Sequence, residues 1–226
     1  MIDPKSAGIN PKSRIHTTGF ERVAASVIEA ARGLGSATVH EAGGKIGVMP
    51  SAIKPVHPHF RVCGPAVTIH GPPGDNLWLH YAIYAAQPGD VLVAHCSGAF
   101  DHGYWGEVMS TAAVARGLGG LVLDGCVRDQ QLLGEVGFPV FARGLCICGT
   151  DKDPHAMGCV NEPVSFEGLI VSPGDLVIGD NDGVVVVPQT RASEVVDASR
   201  ARDAQELEIC RRLMQGERTL DIYRLG

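Results

Sequence analysis

Residues 120–136 read GLVLDGCVRDQQLLGEV, and this stretch decides the fold. Leu121–Asp124 is the short apolar run of a buried strand, and from Asp129 to Val136 the apolar spacing is that of a helix. The loop between them leaves the carboxyl end of the strand and enters the amino end of the helix. A strand followed directly by a helix indicates an α/β domain.

The same alternation continues in both directions along the chain. Further strands are predicted at Val62–His70, Val91–His95, Val140–Phe141, Leu176–Ile178 and Val184–Val187, and further helices at Phe20–Gly33, Leu77–Ala86 and Gly106–Arg116. The turn sequence Asp180-Asn-Asp-Gly183 predicts that the last two strands form an antiparallel pair. The predicted fold class is therefore α/β, with a mixed, partly parallel sheet.

Composition divides the chain into three parts. Residues 1–19 are rich in Pro, Gly, Ser and Lys and are expected to form a loose N-terminal arm, whereas residues 20–190 carry the α/β domain. Residues 191–226 are expected to form a C-terminal helical extension, in which 193–217 is a polar helix. This helix is expected to contact a neighbouring subunit, and the alternative is a solvated helix on the surface of its own subunit.

Charge and cysteine content exclude several classes of protein. The chain has 226 residues and a net charge of −6, and its Lys and Arg residues are scattered, which argues against a nucleic-acid-binding surface. No apolar run approaches the ~18 residues of a membrane span, and the first residues lack an apolar signal core. Seven cysteines without a C-x-x-C pair indicate reduced thiols and a cytoplasmic location. Cys146 and Cys148 are expected to fill the core from a strand.

Chemically active side chains collect where two predicted strands end. One strand leads into a helix that opens at Gly106-Glu107, and the next leads through a short loop to Arg128-Asp129. Open α/β sheets bind ligands at these ends, and a helix amino terminus suits a carboxylate. Asp129 is a hard ligand that favours Mg²⁺ or Mn²⁺, and Arg128 is a permanent cation with a forked donor. The alternative is an aspartate that caps a helix beside a surface arginine.

Two motifs resemble the RraA-like family, and most closely its 4-hydroxy-4-methyl-2-oxoglutarate / 4-carboxy-4-hydroxy-2-oxoadipate aldolase branch. They are Gly103-Tyr-Trp-Gly-Glu-Val-Met109 and Gly120-Leu-Val-Leu-Asp-Gly-Cys-Val-Arg-Asp129. The similarity extends from Ala37-Thr-Val-His-Glu-Ala42 to Leu220-Asp-Ile-Tyr223, which is nearly the whole chain. The family signature is an acid, twenty intervening residues and Arg-Asp, and Glu107 fits it. The resemblance implies an α/β sandwich that assembles as homotrimers or homohexamers, with sites between subunits.

The resemblance also implies roles for the motif residues. Asp129 would bind a divalent metal, Mg²⁺ or Mn²⁺, and Arg128 would contact the keto oxygen of pyruvate. The backbone amides of Val108 and Met109, presented by the turn at Gly106, would hold the pyruvate carboxylate. These roles describe a class II aldolase, in which a divalent ion and a cation stabilise the charge of a pyruvate enolate.

Four further residues complete the expected site. Glu206 is the best match for a glutamate that comes from a neighbouring subunit and helps to hold water at the metal, and Glu107 is expected to share in proton transfer with it. Asn76 and His80 are candidates for the wall of the substrate pocket, although a histidine on a helix surface is an equal alternative. The first acid is usually Asp in the aldolases, and an acid often stands where this chain has Leu132, so the substrate is left open.

The predicted reaction is cleavage of one of the two branched oxo acids to pyruvate and a second oxo acid. A Schiff-base aldolase would need a lysine in an apolar pocket, and the five lysines all lie in polar or Gly/Pro-rich surroundings. Two other functions stay open: oxaloacetate decarboxylation at the same site, and non-catalytic inhibition of an RNA-degrading endonuclease. Discrimination between substrates is expected from a polar and aromatic rim, formed by Asn76, His80, His102, Tyr104 and Trp105.

Overall fold

The structure, a computed structural model, describes residues 9–225, and this part contains thirteen strands and seven α-helices. The strands are β1 (Arg14–Ile15), β2 (Lys54–Pro55), β3 (Val62–His70), β4 (Val91–His95), β5 (Gly120–Asp124), β6 (Cys126–Val127), β7 (Val140–Ala142), β8 (Gly144–Leu145), β9 (Cys159–Val160), β10 (Val164–Phe166), β11 (Leu169–Val171), β12 (Leu176–Asp180) and β13 (Gly183–Val187). The helices are α1 (Ala25–Ala31), α2 (Ser36–Ala42), α3 (Leu77–Ala85), α4 (Glu107–Ala115), α5 (Gln130–Val136), α6 (Ala192–Met214) and α7 (Thr219–Ile222). A 3₁₀ turn, Gln189–Arg191, precedes α6.

Nine strands form one mixed sheet in the order β1-β9-β3-β4-β5-β7-β2, with β12 beside β3 and β13 beside β12. The central strands β3, β4, β5 and β7 are parallel, whereas β12, β13 and β2 pair antiparallel with their neighbours in the sheet. β9 pairs antiparallel with β3 and parallel with β1. Two small pairs, β10-β11 and β6-β8, lie outside the sheet. The predicted α/β class with a mixed, partly parallel sheet is confirmed.

The strongest sequence patterns are found where they were predicted. β3 and β4 have the predicted bounds, and Asp180 pairs with Gly183, which leaves Asn181 and Asp182 as the two-residue loop of the β12-β13 hairpin. The first helix is shorter than predicted, Ala25–Ala31, because Phe20–Ala24 precede it without helical structure. α2 was not predicted, because seven residues are too few to show a clear helical period.

Apolar side chains form two clusters on the two faces of the β12-β13 hairpin. The main cluster lies between the central sheet and α3, α4 and α5, and it includes Val177 of β12. The second cluster joins the other face of the hairpin to α1, α2 and the first turns of α6, and it includes Ile178 and Val195. Successive residues of a strand face opposite sides, so one hairpin supplies both clusters.

The two ends of the described chain differ in how they are held. Ile9 is buried and β1 pairs with β9, so the described part of the predicted N-terminal arm is attached to the sheet edge; residues 1–8 lie outside the described residues. At the other end, α6 packs through its first turns and then exposes apolar side chains such as Leu207. Between residues 9 and 225 no helix has the length and apolar character to cross a membrane.

Candidate functional site

The motif residues Arg128 and Asp129 lie in an open cleft of ≈ 460 Å³ beyond the carboxyl end of β5. The cleft is lined by Val127, Arg128, Asp129, Gln130, Leu145, Cys146 and Ile147. The short strands β6 and β8 pair in parallel, and the Cys146 N–H donates to the Val127 carbonyl (2.9 Å). This pairing places the 145–147 segment directly beside the Arg-Asp motif.

Asp129 stands at the amino end of α5 in a left-handed backbone conformation, with φ 63° and ψ 36°. Residues with a side chain adopt this conformation at some cost, and such positions cluster at functional sites. The Oδ2 atom of Asp129 accepts a hydrogen bond from the Glu107 N–H (3.2 Å) and lies 3.9 Å from Arg128 Nε. The unusual backbone therefore aims the carboxylate at the start of α4, while its other oxygen atom accepts no hydrogen bond from residues 9–225 and can bind a ligand.

Two glycines allow the loop before α4 to approach this motif. A Cβ atom on Gly106 would overlap Asp129 Oδ2, and a Cβ atom on Gly103 would come within 2.5 Å of the Cys146 carbonyl and 3.2 Å of Arg128 Cδ. The φ angle of Gly106 is −161°, which any residue can adopt. Glycine is therefore required here because there is no space for a side chain. The site is built by close approach of two loops.

The start of α4 presents backbone donors at this point. The first hydrogen bond within the helix runs from the Ser110 N–H to the Gly106 carbonyl (3.1 Å), and the Glu107 N–H is used by Asp129. The N–H groups of Val108 and Met109 therefore have no partner within the helix, and they sit at its positive dipole end. The Val108 side chain is 78% exposed, so this end of the helix is open to solvent. An anion can bind there.

Asn76 stabilises the loop before α4 from the buried side. Its side chain is buried, and its Nδ2 atom donates to the Tyr104 carbonyl (2.9 Å) and contacts Met109 Sδ (3.5 Å). Its Oδ1 atom is buried without a hydrogen-bond partner among residues 9–225. His80 is partly buried one turn further along α3. Burial lowers its pKa, and Lys152 lowers it further, so its charged neighbours are Lys152 and Asp75 and not the Arg-Asp motif.

The expected aromatic rim was wrong for two residues. Tyr104 is buried, and its hydroxyl donates to the Ala99 carbonyl (2.6 Å) and accepts from the Gly74 N–H (2.9 Å). Burial raises the pKa of Tyr104 to about 12. Trp105 is also buried, and its Nε1 atom donates to Ser110 Oγ (2.7 Å). Both side chains stabilise the loop before α4 because their polar atoms are already satisfied within the protein.

The two glutamates of the expected site lie in different places. Glu107 is the first residue of α4, partly exposed, and its backbone touches Asp129. Glu206 lies on α6, which packs against α1 and α2, and its carboxylate pairs with Arg202 (2.8 Å). Within one chain Glu206 is not among the residues that line the cleft. Its predicted role therefore depends on a second subunit.

The donor set of the cleft suits a hydrated hard cation. Among the described residues, no three His, Cys, Asp or Glu side chains are grouped as metal ligands. Zinc would need such a set, whereas Mg²⁺ is commonly held by one or two carboxylates and keeps several waters. Asp129 supplies one carboxylate, and the space left by Gly106 keeps it open. The residues present thus fit Mg²⁺ or Mn²⁺.

The sequence patterns missed one wall of the cleft. Leu145, Cys146 and Ile147 line it, although Cys146 and Cys148 were expected to fill the core from a strand. That expectation was wrong, because β8 ends at Leu145 and the next residues have no regular structure. Strands of two residues are too short to give a periodic signal, so the β6-β8 pairing could not be found from sequence.

Comparisons with known proteins identify the family and the fold. The family model described as RraA-like (Aldolase/RraA) matches residues 24–186. A protein of Halalkalibacterium halodurans, named "Putative 4-hydroxy-4-methyl-2-oxoglutarate aldolase", is 35% identical over 158 residues, which are 70% of this chain and 74% of that one. A solved structure from Pseudomonas syringae has a TM-score of 0.79 at 31% identity, covering 91% of this chain and 100% of the other. A Streptomyces coelicolor structure, described as an unusual member of the RNase ES inhibitor RraA protein family, has a TM-score of 0.72 at 30% identity, covering 86% and 99%.

Proposed function

The chain belongs to the RraA-like family, and on that premise we propose that it is a class II pyruvate aldolase. Its proposed substrates are 4-carboxy-4-hydroxy-2-oxoadipate and 4-hydroxy-4-methyl-2-oxoglutarate, each cleaved to pyruvate and a second oxo acid. One observation carries the proposal: Arg128 and Asp129 line one open cleft, and the Asp129 carboxylate accepts a hydrogen bond from the first residue of α4, whose next two amides have no partner within the helix. A cation, a hard-metal ligand and an anion site are the three groups that a 2-oxo acid requires.

The α4 amides would bind the carboxylate of the substrate, with Val108 and Met109 as donors. The adjacent 2-oxo oxygen then falls on the Arg128 side of the cleft, because the start of α4 and Arg128 are separated only by Gly106 and the Asp129 carboxylate. The guanidinium keeps its charge at all working pH values and donates in a planar fork. It would therefore hold the oxygen on which negative charge develops.

Asp129 would hold the divalent ion, Mg²⁺ or Mn²⁺, which when bound supplies Lewis acidity to the 2-oxo acid. The rest of the step falls to this chain's own groups. A base takes the proton of the 4-hydroxyl, C4 becomes a carbonyl, and the C3–C4 bond breaks. Its electron pair moves to the C2–C3 bond and the 2-oxo oxygen, where Arg128 stabilises the charge. A proton returned to C3 gives pyruvate, and Glu107 and Glu206 are the proposed groups for these transfers.

The proposed site is completed by a neighbouring subunit in a homotrimer or homohexamer. Leu207 and Met214 of α6 are 73% and 89% exposed in the single chain, and covering these apolar side chains would stabilise an assembly. Residues 191–226 are the proposed contact, because the second half of α6, in which only Ile209 is buried, contributes nothing to the second apolar cluster and carries Glu206. Asn76 and His80 keep their proposed place at the substrate pocket, Asn76 through the loop that it braces.

Mixed assemblies test this contact. Asp129→Ala and Glu206→Ala proteins are each expected to be inactive, and together they should regain part of the activity when their subunits are exchanged. Recovery requires that the two residues serve one site from two chains. Verified mixed assemblies without recovered activity would place Glu206 outside the site.

The reaction itself is tested by pyruvate release from both branched acids and from oxaloacetate, with Mg²⁺ and with Mn²⁺. Activity on the branched acids that disappears after removal of the metal with EDTA supports the proposal. Oxaloacetate as the best substrate would favour a decarboxylase. The similarity to a structure described as an unusual member of the RNase ES inhibitor RraA protein family makes a non-catalytic role the second candidate. The non-catalytic role becomes the favoured one if none of the three acids releases pyruvate and the protein inhibits an RNA-degrading endonuclease.

A further inference from the structure

The seven cysteines are free thiols, and four of them lie in surroundings that raise the pKa of the thiol. Burial raises the pKa of Cys63 to about 11, and it also raises the pKa of Cys96, Cys126 and Cys159. The thiolate is the reactive form of cysteine, so these four thiols are held in their unreactive form. The remaining three are Cys146, Cys148 and Cys210.

Cys146 and Cys148 lie one residue apart in the irregular segment after β8. Cys146 is partly exposed and lines the cleft, Cys148 is exposed, and Ile147 between them projects into solvent. Two residues of chain span at most ~7 Å. The two Cα atoms are therefore close to the separation of about 4.4–6.8 Å at which a disulfide forms, but the Cys146 thiol donates to the Asp101 carbonyl (3.2 Å), so the segment must change its conformation for the two sulfur atoms to meet.

The same segment ties the two loops of the cleft together. The Cys146 N–H donates to the Val127 carbonyl (2.9 Å), next to Arg128, and the Cys148 carbonyl accepts from the Gly103 N–H (2.7 Å). Gly103 begins the motif that leads into α4. A change of backbone conformation between Cys146 and Cys148 would therefore act on both walls that hold the proposed substrate.

We propose that Cys146 and Cys148 form a reversible oxidation site, whose intrachain disulfide distorts the cleft and suppresses its activity. Hydrogen peroxide is the oxidant. One thiol attacks it, its O–O bond breaks, and a sulfenic acid and one water form; the second thiol then displaces a second water as the S–S bond closes. Overall, two thiols lose two hydrogens and hydrogen peroxide becomes two waters. A dithiol reverses the step and is itself oxidised to a disulfide.

The test uses the full chain in its native assembly, treated with a small excess of hydrogen peroxide and then with N-ethylmaleimide. Peptide mapping should find the 146–148 peptide lighter by two hydrogens and without the label, and the label should return after dithiothreitol. Hydrogen exchange of residues 126–130 should change with the disulfide. Pyruvate release should fall by as much as about 10²-fold, the size expected when catalytic groups move by about 1 Å, and dithiothreitol should restore it.

Matched variants separate this site from general oxidation. Cys148→Ser should keep the basal activity, form no disulfide and lose the dithiothreitol-reversible part of the inhibition, whereas Cys210→Ser should behave like the unaltered protein. The proposal is overturned if N-ethylmaleimide still labels both thiols after peroxide treatment. It is also overturned if the disulfide forms but hydrogen exchange at 126–130 stays unchanged. Only the effect on activity rests on the proposed function. If no oxo acid is cleaved before oxidation, the aldolase proposal fails, while mapping and exchange still decide this one.

Discussion

Asp90 and Asp129 both stand beside regular elements at the ends of loops, and the protein uses their carboxylates in opposite ways. The Asp90 side chain is 1% exposed, and it accepts hydrogen bonds from the Gln87 N–H (2.8 Å) and from two nitrogens of Arg22 (2.9 Å each). The Asp129 side chain is 37% exposed and accepts one hydrogen bond, at 3.2 Å. A fully satisfied carboxylate stabilises the fold, whereas one with free acceptor capacity on a strained backbone is available for chemistry.

Asp175 accepts hydrogen bonds from backbone amides as Asp90 does, so this kind of contact stabilises turns in the protein. Asp175 accepts from the Ser172 N–H (2.8 Å) and the Gln189 N–H (2.9 Å). The two glycines before these aspartates have φ angles of 86° and 87°. The left-handed conformation falls on glycine in both structural turns, but on the aspartate itself in the candidate site. This contrast can be tested from both sides.

The largest effect is expected from Arg128→Lys. Lysine keeps the charge but loses the planar fork, and loss of one donor to a developing oxyanion typically lowers kcat by ~10²–10³-fold. Thermal stability should hardly change, because Arg128 is half exposed and its contact with Asp129 is long. Arg61→Lys, at the opposite end of the sheet, is the control and should keep its kcat. Turnover near that of the unaltered enzyme would remove Arg128 from the mechanism.

A smaller loss is expected from Gly106→Ala. The added methyl group would overlap Asp129 Oδ2, and overpacking of this kind costs about 1–3 kcal/mol, which corresponds to roughly 10- to 10²-fold in kcat/KM if the carboxylate turns away. The matched control is Gly149→Ala, because a Cβ atom there meets nothing within 4 Å. The readouts are kcat/KM and the concentration of Mn²⁺ at half-maximal activity. Equal behaviour of the two variants would show that the close approach at Gly106 is not needed.

The sequence was sufficient for the elements with long patterns. The apolar runs of β3 and β4 gave their bounds, and the Asp180–Gly183 turn gave the antiparallel hairpin, because each signal lies within one short window of sequence. The approach of Arg128, Asp129 and Glu107 followed from the rule that ligands bind at the carboxyl ends of strands. These inferences needed no knowledge of contacts between distant residues.

The sequence could not show what depends on long-range packing. Burial of Tyr104 and Trp105 is decided by partners such as Gly74 and Ser110, so an aromatic cluster next to a motif was mistaken for a rim. The cleft wall at Cys146 depends on the pairing of two-residue strands. The left-handed conformation of Asp129 could not be inferred, since aspartate adopts it only occasionally and nothing else in the local sequence requires it.

Asp90→Ala should act on stability and leave the chemistry intact. Breaking a buried ion pair can cost about 3–5 kcal/mol, but Arg22 is partly exposed and water can solvate it, so we expect about 2 kcal/mol from urea unfolding. The control Asp197→Ala, on the exposed face of α6, should stay within about 0.5 kcal/mol. Turnover per folded molecule should be unchanged. A loss of turnover without a loss of stability would reverse the assignment of Asp90 as structural.

The smallest effect is expected in the pH dependence of stability, in which two structural aspartates at the two ends of β12 should differ. Burial raises the pKa of Asp175, and the Ser172 and Gln189 amides offset only part of this. Burial also acts to raise the pKa of Asp180, but hydrogen bonds from Ser36 and the Asp182 amide, with the charge of Arg61, outweigh it and the pKa is lowered. The unfolded chain titrates both near ~3.9.

The two aspartates should therefore respond oppositely to acid. As the pH falls, Asp175 is protonated in the native state at a higher pH than in the unfolded state. This group therefore adds stability as the pH falls through its raised pKa towards ~3.9. Asp180 is protonated in the unfolded state at a higher pH than in the native state. Stability is therefore lost as the pH falls from ~3.9 through the lowered pKa. Urea unfolding of the wild type, Asp175→Asn and Asp180→Asn from about pH 7 downwards isolates each group, because all other titrations cancel in the difference. The penalty of Asp180→Asn should shrink in acid, and that of Asp175→Asn should grow. Parallel trends in the two variants would mean that burial dominates at both positions, and that the Ser36 hydrogen bonds do not hold Asp180 in its charged form.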